Sequence, residues 1–156
     1  GLGEAAPRVG SGAIDLLRVE AGIPESGKEI TDQVNPLEAG LTRFVSFTKG
    51  CYIGQEVIAR LDTYRKVQKS LRGFVFPEGY ANLTPGKLFS DGIEVGWTTS
   101  HVLSPQAGKQ LALGYMKVFP EMSVVAFRKK DSVDEVIIEV VDLPFVSVAP
   151  RIVPAA

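Results

Sequence analysis

Leu111-Ala112-Leu113-Gly114-Tyr115, taken with Ile93-Glu94-Val95-Gly96-Trp97 upstream of it, decides the fold class. In both stretches large apolar residues fall on every second position, the period of a strand that buries one face. Leu71, Phe74 and Phe76 before them, and Val124, Ala126, Phe127 and the run Val136 to Val141 after them, continue the pattern. Pro77-Glu78-Gly79, Pro85-Gly86, Asp91-Gly92 and Pro105-Gln106-Ala107-Gly108 lie between these stretches and supply turns. Short strands at this spacing predict a barrel or a sandwich, because closure removes exposed strand edges. Trp97, Phe74 and Phe76 are expected in its core.

Upstream the pattern changes. Residues 1–12 are rich in Gly, Pro and Ala and form a loose lead-in. Ser11 is placed to cap a helix through Ile14, Leu16, Leu17 and Glu20, which Gly22 and Pro24 end. From Ile23 to Gly40 prolines and glycines predict turns, with a helical turn at Pro36-Leu37-Glu38. Phe44, Ser46 and Phe47 suit a brief extended stretch, and Val57, Ile58 and Leu61 give Gly54 to Tyr64 the spacing of an amphipathic helix. The fold class is therefore α+β. Residues 1–72 form the α+β part and residues 73–156 an antiparallel barrel, with the change of character between Lys69 and Gly73.

The chain's 156 residues suffice for one domain or two small ones, and 45% apolar with 22% charged residues is the balance of a globular chain, not a disordered or fibrous one. A formal net charge of -1 gives no general attraction to nucleic acid or to an anionic membrane. The longest aliphatic runs, such as Val136-Ile137-Ile138, fall far short of the roughly 20 residues of a membrane-spanning helix. The single cysteine, Cys51, excludes an internal disulfide and points to a reducing, cytoplasmic setting. Cys51 and the single histidine, His101, make no usual zinc site without carboxylates, so no metal is expected. No secretory signal is visible, and the absence of methionine before Met116 reads as an excised or processed segment.

The densest chemistry lies in Lys49-Gly50-Cys51-Tyr52-Ile53-Gly54-Gln55-Glu56-Val57-Ile58-Ala59-Arg60. A thiol two residues from a lysine and just before a helix N-terminus has two causes for a lowered pKa. Gln55 and Glu56 open that helix, where they can serve the helix dipole or face a ligand. The competing reading of Cys51 is a small buried hydrophobe. Between Leu41 and Gly73 seven basic residues face two acidic ones, an excess suited to a carboxylate or phosphate ligand or else to a solvated face. Glu20 closes an apolar helix, where its carboxylate can accept paired hydrogen bonds from an amidine-like ring edge or stand at the surface. His101 is expected in an exposed loop, and the acidic stretch Asp131 to Asp142 on the outside of a strand.

Lys49-Gly50-Cys51-Tyr52-Ile53-Gly54-Gln55-Glu56 with Arg60 resembles the signature of the YgfZ-type folate-binding proteins, relatives of the glycine-cleavage T-protein. Leu17-Arg18-Val19-Glu20-Ala21-Gly22, Asn35-Pro36-Leu37-Glu38-Ala39-Gly40-Leu41, Val95-Gly96-Trp97-Thr98-Thr99-Ser100 with Ser104-Pro105, and Leu111-Ala112-Leu113-Gly114-Tyr115 resemble family segments in family order. The resemblance implies a C-terminal portion: the end of a folate-binding α+β domain, then a T-protein-like barrel. It implies tetrahydrofolate as cofactor and iron-sulfur enzymes or their assembly proteins as partners, with no nucleic acid and no membrane. It gives Cys51 the role of functional thiol, Glu20 that of a pterin-recognising carboxylate, and places Lys49, Tyr52, Gln55, Glu56 and Arg60 at the folate. The enzymatic alternative is an aminomethyltransferase or methyltransferase using tetrahydrofolate, whose catalytic aspartate lies in an upstream half that this sequence does not contain. The third alternative is a structural barrel carrying half a site.

Overall fold

The computed structural model describes residues 8–47, 49–50, 54–56, 59, 67–117, 124–130 and 132–146. A helix, α1 (Ser11–Glu20), precedes six strands: β1 (Lys69–Val75), β2 (Gly86–Ser90), β3 (Ile93–Ser104), β4 (Lys109–Lys117), β5 (Val125–Lys129) and β6 (Glu135–Val141). All neighbours are antiparallel, and the order β1-β4-β3-β2-β5-β6 closes on itself through pairing of β6 with β1. Closure settles the choice between barrel and sandwich and removes the free edges that the strand pattern threatened to leave.

The barrel interior holds Phe74, Phe76, Leu88, Val95, Ala112, Met116, Phe127 and Ile138. Leu111, Leu113 and Tyr115 alternate as expected but belong to the other face. There Leu111 and Leu113 pack with Val19 of α1, flanked by Leu71, Val75, Val102, Leu143 and Phe145. β4 is thus buried on both faces, inward by the barrel and outward by α1 and the loop after it. Each of Val19, Leu111 and Leu113, fully or almost fully buried, contributes about 1.5–3 kcal/mol to this docking.

Two irregularities in β3 reset its alternation. In its pairing with β2 the register passes from Gly96 to Glu94, skipping Val95, and in its pairing with β4 it shifts between Thr98 and His101. A bulge turns successive residues to one face. The first places Trp97 opposite Lys87 and Tyr115 on the outer face, where it is half-buried, so Trp97 is not the barrel-core residue its alternation with Val95 predicts. The second turns His101 inward, its ring centroid 5.7 Å from Phe76 and 5.8 Å from Phe127. His101 is therefore a strand residue facing the core, not the exposed loop histidine expected. Gly114 allows the close approach that this coiling needs, since a Cβ there would meet the Trp97 carbonyl and lie 2.7 Å from Thr98 Cα.

Helix α1 begins one residue earlier than expected: Gly10, not Ser11, is the N-cap, with no side-chain hydrogen bond, and Ser11 is the first helical residue. At its other end Gly22 takes φ +67°, its N–H donating to the Val19 carbonyl at 2.9 Å while Ile23 donates to Arg18 at 2.7 Å, the double closure that a left-handed residue permits. At the expected turn, Asn35 Oδ1 accepts from the N–H groups of Leu37 and Glu38, and Glu38 Oε2 accepts from Asn35 N–H. Thr42–Phe44 is a 3-10 turn where Phe44 was expected to open an extended stretch. The segment pairs with none of the barrel strands, and it closes locally through Phe44 N–H to the Leu41 carbonyl and Val45 N–H to the Thr42 carbonyl. Of the helix expected over Gly54 to Tyr64, Gln55, Glu56 and Ala59 are helical and most of the remainder lies outside the described residues. Among the described residues no helix is long and apolar enough to cross a membrane.

Candidate functional site

The end of α1 is where the sequence's first candidate, Glu20, meets the barrel. Glu20 is 8% exposed, and its Oε1 accepts a 2.5 Å hydrogen bond from the hydroxyl of Ser104, the last residue of β3. The Glu20 carbonyl accepts from the N–H groups of Phe145 and Val146 at 3.0 and 3.3 Å, which binds the segment after β6 to the helix end. Ser104 is fully buried and accepts from Ala107 N–H, so its single proton goes to Glu20. A carboxylate has about four lone-pair sites, and Ser104 occupies one of them.

A second carboxylate, which the sequence did not single out, is more deeply committed. Glu29 is 0% exposed; its Oε1 accepts from Thr99 Oγ1 at 2.5 Å and Ser100 Oγ at 2.6 Å, and its Oε2 from Arg18 Nη1 and Glu25 N–H. Tyr115 donates its phenol to the Glu29 carbonyl at 3.0 Å. The second bulge of β3 makes this possible by presenting Thr99 and Ser100 to the same side. Burial first, then the charges of Glu29 and Glu38, push the Tyr115 phenol up, so it acts as a donor. Arg18 also meets Asp15 and Glu25. Burial raises the Asp15 carboxyl, but hydrogen bonds and charge from Lys28 and Arg18 outweigh it and hold it below the usual range. With both oxygens engaged, Glu29 is a tie between the loop after α1 and the barrel, not a base. Its only sequence signal was a run of hydroxyls, Thr98-Thr99-Ser100, in a strand.

Between these elements lies a cleft of about 560 Å³, walled by Ala21–Pro24, Ala39–Leu41 and Asp142–Pro144, with Leu71 below and Arg43 and Phe44 on the rim. The Arg43 guanidinium stands 4.7 Å over the Phe44 ring, and Phe44 is 71% exposed. Asp142 on the wall pairs with Arg72, which leaves the Arg43 guanidinium on its aromatic rim as the cation facing this mainly apolar cleft, a setting that suits a flat organic ligand with an anionic group. Ala21, the residue after Glu20, lines this cleft, while the Glu20 carboxylate turns to Ser104.

The signature follows directly in the chain. Lys49 is exposed and its N–H donates to Ser46 Oγ at 3.2 Å; Gln55 is half-buried and Glu56 exposed. Cys51, Tyr52 and Arg60 lie outside the described residues. His101 does not reach this region. Its Nε2 lies 2.8 Å from Thr98 Oγ1 inside the barrel, and burial lowers its pKa to about 4.

No family model matches the chain. It is 39% identical over 117 residues to a chloroplastic protein of Arabidopsis thaliana named as a transferase, covering 74% of this chain and 26% of that one. It is 38% identical over 115 residues to an aminomethyltransferase of Desulforamulus reducens, and 35% identical over 109 residues to one of Aquifex aeolicus; both alignments cover 70% of this chain and 30% of the relative. The chain thus spans about a quarter to a third of the length of these curated relatives. In fold it is similar to the glycine cleavage system aminomethyltransferase T of Bartonella henselae, with a TM-score of 0.74 and 26% identity over 86% of this chain and 38% of that chain. These relatives and the structural neighbour carry the T-protein side of the resemblance, and the expected closed antiparallel barrel is present.

Proposed function

We propose that this chain is the C-terminal portion of a tetrahydrofolate-binding protein of YgfZ type, which supports assembly or repair of iron-sulfur enzymes through Cys51 in a cytoplasmic setting. The observation that carries this reading is the Lys49 to Glu56 signature, which follows within a few residues of a cleft whose volume and single guanidinium suit an organic anion. The cleft's apolar walls fit a reduced pterin and aryl ring, and Arg43 fits a carboxylate. Glu20 keeps acceptor capacity beyond its bond to Ser104, and that capacity is assigned to the pterin edge. Lys49 favours the Cys51 thiolate, Tyr52 packs beside the ligand, Gln55 and Glu56 line it, and Arg60 meets the folate tail. Residues 1–72 complete the folate-binding α+β domain and 73–156 the barrel domain, so that β1 passes from one to the other. One thiol cannot hold an iron-sulfur cluster alone, so the proposed contact with client enzymes is transient.

The second reading is tetrahydrofolate-dependent aminomethyl transfer, favoured by the names of the aminomethyltransferase relatives. Calorimetric titration with tetrahydrofolate, combined with iron-sulfur enzyme activity in cells carrying Cys51→Ala or Glu20→Ala, separates the two. The accessory reading expects loss of folate affinity in Glu20→Ala and loss of client activity in Cys51→Ala. If both variants keep folate affinity and client activity, it is wrong; aminomethyl transfer that persists in Cys51→Ala favours the second reading.

A further inference from the structure

Trp97 stands on the outer face of the barrel, away from the cleft beside α1. Its ring packs 5.6 Å from Tyr115, which is itself anchored to the Glu29 carbonyl, so the platform is fixed from behind. Two depressions flank it, of about 580 and 500 Å³, and Trp97 lines both. Lys69 and Lys117 line the first, with Glu94; Lys87, Arg128, Lys129 and Lys130 line the second. Three of these six cations are matched within the fold: Lys69 with Glu38, Lys87 with Glu94 and Arg128 with Glu135. Lys117, Lys129 and Lys130 are exposed, and the described residues provide them with no acidic partner. A chain with a net charge of -1 therefore gathers a local positive excess around its only tryptophan.

We propose that this face docks an acidic, extended polypeptide segment of a partner protein. The row runs across the strands, from β4, where Lys117 stands two residues beyond Tyr115, past Trp97 on β3 and Lys87 on β2 to Arg128 on β5, with Lys130 just beyond that strand. Neighbouring strands lie about 4.8 Å apart, so the row is roughly 14 Å long, the length of four or five extended residues. Carboxylates spaced along such a segment meet Lys117 and Lys130 at its ends, and one between them meets Lys69, whose Nζ stands 5.3 Å over the Trp97 ring. A small anion would occupy one depression only. A single-stranded nucleic acid needs successive stacking platforms, and the described residues place one here. Charge complementarity of this kind acts on the association rate and weakens with salt.

Because Trp97 is the sole tryptophan, its emission reports on the site without a label. The test is titration of the chain with a seven-glutamate peptide, alongside inorganic phosphate and a uridine oligonucleotide, at low and high salt. The expected result is a saturable change in Trp97 emission with the peptide, weakened about tenfold or more by 0.5 M salt and by the surface variant Lys117→Glu/Lys129→Glu/Lys130→Glu, whose fold is checked by circular dichroism. No response to the peptide overturns the proposal, as does equal affinity in the variant or stronger binding of phosphate or the oligonucleotide. An emission that changes on dilution without peptide assigns the face to a second copy of the chain and also overturns it.

Discussion

Replacing Glu29 with alanine tests how the loop after α1 is held to the barrel. The side chain is fully buried, its partner Arg18 is 11% exposed, and four donors converge on its two oxygens. Removing one member of a buried ion pair costs about 3–5 kcal/mol, because the other charge is left without its partner. Part of the loss is offset here, since Arg18 retains Asp15 and Glu25, so the lower half of that range is expected. With a urea dependence of about 1–3 kcal/mol/M, the unfolding midpoint should fall by roughly 1–4 M, followed through Trp97 emission and far-ultraviolet circular dichroism. Replacing both partners with apolar residues, Arg18→Met with Glu29→Met, should recover part of the loss, as removing a buried pair together often does. A loss below about 1 kcal/mol in Glu29→Ala, with an unchanged urea slope, would refute the reasoning and make Glu29 a passenger of the loop.

Three further outcomes follow from the packing. Gly114→Ala drives a Cβ into the Trp97 carbonyl and should cost about 1–3 kcal/mol in urea unfolding; a neutral effect would mean that β3 and β4 separate there readily. His101, whose pKa falls from 6.5 to about 4 on burial, stabilises the fold in its neutral form. Its contribution is therefore complete above pH 6.5 and is lost as pH falls towards 4, an effect of up to about 3 kcal/mol. A ring proton titration with a midpoint near 6.5 would contradict that. Ser104→Ala removes the donor to Glu20 and should cost about 1–3 kcal/mol, read as a lowered melting temperature. No change would mean that water replaces the hydroxyl.

The barrel was legible because its strand periods and turn residues agree: Phe74 and Phe76 fall inside as their spacing requires. Which face of β4 points inward was not legible, because both faces are apolar and only the docking of α1 distinguishes them. Trp97 and His101 were misplaced for one reason. Each follows an irregularity in β3, and a one-residue slip reverses the facing of every residue beyond it. Glu29 was invisible because Glu25-Ser26-Gly27-Lys28-Glu29 has the composition of a solvated turn, and its burial depends on hydroxyls some 70 residues away. At the candidate site Glu20 was noticed through its place at a helix end, but its bond to Ser104 joins positions 84 apart that no local pattern relates. Arg43 and Phe44 entered only as part of a basic excess and an extended stretch, until the 3-10 turn set them side by side.

The most direct test of the proposed site is the alkylation rate of Cys51 against pH in the folded chain, with and without tetrahydrofolate. A thiolate that forms well below the reference value of about 8.5, and that saturating tetrahydrofolate shields from the reagent, is the expected result. A thiol that titrates normally and reacts at the same rate with folate present, in this chain and in the full-length protein alike, would contradict a Cys51-dependent folate site.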